Sequence, residues 1–284
     1  MEATAVYELL ALGSAILNGM WKFGIGQYRG RISVYSVILG SSTSAALVYL
    51  LFGLFSQDLV FDAMDETRGF LGGLFNLIGT ILVLKAFERG KLGVVTGVAA
   101  ASTLVPLTWS ILTGEHISLV AASGIVVILG GLLAFYLPNM RLKPGETNST
   151  AAILLATAAA LFWGVAIVVI DIGSRVSVTG TMLMSQLPQI TFTLIMVAMV
   201  KRSLGGLTRR SLATLASAGV ALGLCNILFY TAANEGNIGV VSVLGSLSPI
   251  VVALIAVAFL KEQMVRLEKV AMVIVIVGTC LVVY

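Results

Sequence analysis

The chain has 284 residues, of which 58% are apolar and only 11% charged, with a mean hydropathy of +1.05. So little polar surface cannot coat a soluble globule of this size, and a net charge of +4 in so apolar a chain reports loop cations, not a nucleic-acid partner. Two cysteines, Cys225 and Cys280, and one histidine, His116, give no disulfide framework, no metal set and no sign of a cofactor.

A helix needs about 20 apolar residues to cross a bilayer. Windows of that kind fall at roughly 6–24, 33–55, 69–87, 92–112, 118–136, 151–170, 179–200, 212–232, 238–260 and 267–284, and they leave no room for a soluble domain. No window alternates apolar and polar residues with period 2, which excludes a β-barrel. The apolar start at Val6 lacks a basic flank, so the first window reads as a retained span, not a cleaved signal. The longest polar stretches are 56–68, with Asp58, Asp62, Asp65 and Glu66, and 138–150, where Pro138, Pro144, Gly145 and Asn148 have the composition of a linker.

The chain repeats once. Gly69-x3-Gly73-x2-Asn76 returns as Gly219-x3-Gly223-x2-Asn226, residues 87–95 correspond to 233–241 and 123–136 to 271–284, and Asn18-Gly19 falls on Trp163-Gly164. Residues 1–137 and 151–284 are thus read as two copies of a five-helix unit joined by the linker 138–150. Five is odd, so the second copy enters the membrane from the opposite side, an inverted repeat of the kind from which many secondary transporters are built. The expected fold is an all-α polytopic membrane protein with ten transmembrane helices in two inverted five-helix repeats.

The glycine pairs Gly69/Gly73, Gly93/Gly97 and Gly219/Gly223 have GxxxG spacing, which suits helices in close approach. Loops after odd-numbered spans hold 15 of the 17 Lys and Arg residues, and the other two are Arg68 and Arg175. The positive-inside rule puts those odd loops in the cytoplasm and both termini outside.

Polar residues deep in the spans are few, and each is costly in hydrocarbon unless it has a partner or a purpose. Asn76 and Asn226 occupy equivalent places in spans 3 and 8, where they either bond between helices or face each other across a midplane substrate site. Tyr230 lies one turn after Asn226, Trp163 replaces Asn18 in the second copy, and Trp21 follows Asn18 by three residues; an aromatic lining with a few amides suits an organic solute. Trp21 also fits an interfacial belt. Lys22 and Lys85 sit near the cytoplasmic ends of spans 1 and 3, where they either snorkel to the interface or enter the cavity to neutralise a carboxylate or phosphate. Lys22 aligns with Ile167, so it breaks the symmetry. Ser102 and Ser248 complete the candidate lining. Pro106 and Pro249 are candidate hinges in spans 4 and 9, because proline removes a main-chain donor.

An enzyme is not expected, since His116 stands beside Glu115 in a tight loop with no nucleophile motif and no second ligand. Glu8 and Asp171 lie within a turn or two of span ends and the other acids lie in loops, so coupling through an intramembrane carboxylate is not expected either. Exchange or facilitated movement is the simpler reading.

Leu161-Phe162-Trp163-Gly164, Tyr230-x-Ala232 and the run from Gly239 through Ser248-Pro249 to Phe259-Leu-Lys-Glu262, in this order over ten spans, resemble the EamA branch of the drug/metabolite transporter superfamily. The first half keeps Thr113-Gly114-Glu115 and has Asn18 where the family often has tryptophan. The resemblance implies an integral protein of a prokaryotic plasma membrane, monomer or homodimer, that carries a small-molecule substrate such as an amino acid or related metabolite, with sugars, nucleotide sugars and drugs among the cargo of relatives. Relatives with ten spans are generally drawn with cytoplasmic termini, the reverse of what the Lys and Arg bias says here. A receptor or scaffold is the rival class, and a sealed apolar interior would favour it.

Overall fold

Long apolar runs leave a chain in lipid few ways to satisfy its main-chain groups, and the α-helix does so within one segment. The computed structural model describes residues 2–26, 32–89, 95, 98–140, 150–200, 208–261 and 264–283, and among these it has no strand. Gly93 and Gly97, most of the linker at 141–149, and the cations Arg29, Arg31, Lys91, Arg141, Lys143, Lys201 and Arg202 lie outside the described residues.

The helices are α1 (Glu2–Gly26), α2 (Val34–Ser56), α3 (Ala63–Arg89), a 3-10 turn (Ala100–Thr103) that runs into α4 (Leu104–Leu112), α5 (Leu119–Met140), α6 (Thr150–Gly173), α7 (Val178–Val200), α8 (Arg209–Glu235), α9 (Ile238–Gly245), α10 (Ser248–Leu260) and α11 (Arg266–Val283). Among the described residues, seven stretches are long and apolar enough to cross a membrane, with α9 and α10 counted together, and Ala100–Leu112 is a shorter apolar one.

The ninth predicted window is not one continuous helix. Pro249 has no N–H to give the Gly245 carbonyl, and the ladder tightens there to Leu247 N–H to Leu244 O at 3.1 Å and Ile250 N–H to Leu247 O at 2.9 Å. The matching place in the fourth window holds the 3-10 turn Ala100–Thr103.

α1 packs on α8, α9 and α10, while α3 packs on α6 and α7. α2 lies against α7 and α8, α5 against α11, and α4 against α6 and α9. Gly69 lets α3 approach the Thr181 carbonyl of α7, and Gly219 does the same for α8 at the Ser41 carbonyl of α2, so these glycines serve helix packing. The largest core cluster joins α1, α5, α8, α9, α10 and α11, and every residue of α9 is buried. Outward, Phe55, Leu119, Met199 and Phe259 are exposed, an apolar surface that lipid can cover.

Candidate functional site

The bend of a helix and the size of a residue decide what can meet at the two interrupted stretches. Gly19 of α1 lies so close to α10 that a methyl group there would stand 2.6 Å from Val251 Cβ and 3.0 Å from the Ser248 carbonyl. Gly164 of α6 repeats this: a methyl would stand 2.5 Å from Val105 Cβ and 2.7 Å from the Ser102 carbonyl. Ser102 and Ser248 are both buried. The two contacts carry the same residue types in the same order.

What each half adds to its contact differs. On α1, Lys22 reaches one turn beyond Gly19 and its Nζ donates to Ser248 Oγ at 2.7 Å. Ser248 is fully buried, so the ammonium turns inward to α10 and does not snorkel. Lys85, the other candidate cation, is exposed on α3. On α6, the Trp163 indole lies over Gly79, and its Nε1 donates to the Asn76 carbonyl and to Thr80 Oγ1, each at 3.3 Å. Trp163 is therefore wedged between α6 and α3, with its ring half-buried.

The two asparagines take different partners. The Asn226 amide donates to the Tyr49 hydroxyl on α2 at 2.8 Å, and Tyr49 is fully buried. The Asn76 side chain has no hydrogen bond among the described residues, and no hydrogen bond joins it to Asn226. Tyr230 is buried and packs edge-on to Phe229 with ring centroids 5.0 Å apart, in the cluster that holds Tyr49, Ile170 and Met182. Trp21 is half-buried, and its indole N–H has no hydrogen-bond partner among the described residues. Pro106 is buried and Pro249 half-buried.

A second polar set closes the end of the bundle that holds the α6–α7 and α8–α9 turns. Asp171, 1% exposed, pairs with Arg175 at 3.1 Å, and its Oδ1 has no hydrogen-bond partner among the described residues. Asn234 donates to the Ser174 carbonyl at 2.7 Å, and Asn237 caps α9 through Val240 N–H at 3.1 Å while accepting from Ser110 Oγ at 2.8 Å. The Asp58 carboxylate accepts from Thr179 N–H at 2.9 Å at the start of α7, where a negative group suits the helix dipole. Glu8 stands near the start of α1, as its place in the sequence says, yet it is 3% exposed.

The sequence reading did not single out Tyr49, or the amides of α7. Gln189 Nε2 donates to Gln186 Oε1 at 3.2 Å, Gln186 Nε2 donates to Ser185 Oγ at 2.9 Å, and all three residues are buried around Pro188. Two glutamines three residues apart beside a proline in an apolar span were the available signal. The recess lined by Ile111, Gly114, Glu115, His116 and Ile117 borders the polar set around Ser110 and Asn237, since Glu115 N–H donates to the Ser110 carbonyl at 3.0 Å, and a second recess is lined by Leu12, Thr279, Cys280 and Val283.

Residues 150–284 match the profile of the EamA-like transporter family. Among solved structures, the crystal structure of a protein 18% identical superposes with a TM-score of 0.78, over 97% of this chain and 95% of that one. This shows a shared fold. No curated protein matches the chain.

Proposed function

Because the chain belongs, through residues 150–284, to the EamA-like transporter family of the drug/metabolite transporter superfamily, we propose that it moves a small organic metabolite, an amino acid or a related solute, across the membrane by alternating access. Members of that family are transporters and not enzymes. In this reading α1, the stretch Ala100–Leu112 and α11 join the seven long apolar stretches to give ten spans in two inverted halves, 1–137 and 151–284. The halves rock about a site between them, by exchange or facilitated movement, and both termini are extracytoplasmic.

The observation that carries the reading is the twinned close contact of Gly19 with Ser248 and Val251 and of Gly164 with Ser102 and Val105. An inverted repeat requires such twins. The helix partners pair off in the same sense: α1 on α8 with α3 on α6, and α2 on α8 with α7 on α3, while α2–α7 and α5–α11 map onto themselves. Both interruptions, at Ala100–Thr103 and between α9 and α10, fall beside these contacts. They are natural flexing points.

Counterflow tests the reading. Proteoliposomes of the full chain are preloaded with one unlabelled amino acid or organic acid at a time and given the same labelled solute outside. A carrier shows transient accumulation of label that depends on the preload. A receptor or scaffold shows none for any solute.

A further inference from the structure

Lys22 is a cation among membrane-spanning helices whose recorded partner is a neutral hydroxyl, Ser248 Oγ at 2.7 Å. A charge in such surroundings is costly unless it is paired. Among the described residues no carboxylate lies within ion-pairing distance of it. Glu8 is 14 residues back along α1, about 21 Å at 1.5 Å per residue.

The place where the ammonium ends is unfavourable for a cation by itself. Ser248 opens α10 at the interruption before Pro249, and a helix start carries positive partial charge. The side chain of α8 that interacts with it is the neutral Cys225. Ammonium, hydroxyl and helix start all suit one anionic group of the solute. Ile167 holds the equivalent position in the second half, so the repeat supplies no second cation.

Resting on the transporter reading above, we propose that Lys22 and Ser248 hold the carboxylate of the transported solute, and that this solute is a monocarboxylate without an ammonium group. One cation matches one negative charge, whereas a phosphate dianion would leave a charge uncompensated. An amino acid would bring an ammonium that needs a carboxylate beside Lys22 and Ser248, whereas Asp171, the buried acid of α6, gives one oxygen to Arg175 and stands two residues from the end of that helix, with the polar set at the α6–α7 turn.

Two matched sets of probes test this against the purified full chain: isovalerate, valine and isobutylamine, and phenylpropionate, phenylalanine and phenethylamine. Thermal shift and competition should show at least one of the two acids binding, and its amino acid and amine at least about ten-fold weaker. Lys22→Met should lose that acid while keeping the melting temperature of the solute-free protein, and Lys22→Arg should retain it. Binding of an amino acid as tight as that of its acid, unchanged binding in Lys22→Met, or silence of both acids overturns the proposal. Counterflow separates the two readings: an amino acid exchanged equally well by Lys22→Met removes the carboxylate site and keeps the transporter. Acid binding that depends on Lys22, with no counterflow of any probe, does the opposite.

Discussion

Asn226 donates its side-chain amide to the Tyr49 hydroxyl at 2.8 Å and so ties α8 to α2 through a fully buried phenol. Asn76, its counterpart in α3, has its carbonyl on the Trp163 indole instead, and its amide is free of partners among the described residues. One asparagine is thus held in a bond between helices, and in the proposed reading the other meets the solute. Asn226→Ala and Tyr49→Phe should each cost about 0.5–1.5 kcal/mol, read as lowered melting temperatures, and the double variant should cost less than their sum. Asn76→Ala should leave the melting temperature in place and weaken uptake several-fold. Equal melting losses at both asparagines would return Asn76 to packing.

Gly19→Ala and Gly164→Ala each put a methyl group within 2.6 Å of a valine Cβ. Overpacking of this kind costs about 1–3 kcal/mol. Because the two contacts are twins, the losses should match within the error of thermal unfolding in detergent. A tolerated change at one and a severe one at the other would mean that the halves are not built alike.

Orientation is open to labelling. With Cys225 and Cys280 replaced by alanine, a cysteine at Arg210 should resist a membrane-impermeant thiol reagent on intact cells, and one at Glu235 should react; both positions are exposed, at opposite ends of α8. Thr208 is avoided because its side chain caps Ser211 N–H at 3.1 Å, a bond worth about 0.5–2 kcal/mol. Reversed labelling would turn the protein over.

Uptake in proteoliposomes should not need a proton gradient, since Asp171 is engaged with Arg175 and Glu8 lies near the start of α1. Uphill accumulation driven by pH alone, and lost in Asp171→Asn or Glu8→Gln, would give one of these buried acids a coupling role.

The helices were legible in the sequence because hydrocarbon imposes one demand on the main chain, and apolar runs answer it openly. Ser248-Pro249 also announced the interruption of the ninth window, since a missing N–H is visible in the letters. Side-chain direction was less legible. Lys22 near the end of α1 fits a snorkelling lysine equally well by depth, and only the position of α10 shows that its Nζ turns inward. Trp163 could be placed at mid-span, yet its indole N–H finds partners on α3, and neither Gly79 nor Thr80 marks that contact in sequence. Tyr49 stands in the apolar run of α2, where nothing in the sequence marks it as the partner of an asparagine 177 residues away.

The burial of α9 contrasts with α10 in the same span. All eight residues of α9 are enclosed, whereas Leu254, Val257 and Phe259 of α10 are exposed. Opening of a buried segment requires many protein contacts to separate together, while a segment with one face on lipid breaks fewer of them when it tilts as a unit with its main-chain bonds kept. Alanine in place of Val241 or Leu244 should therefore lower the melting temperature by more than alanine in place of Leu254 or Val257. One half of the span is an anchored post, and the other is the arm that can swing from it.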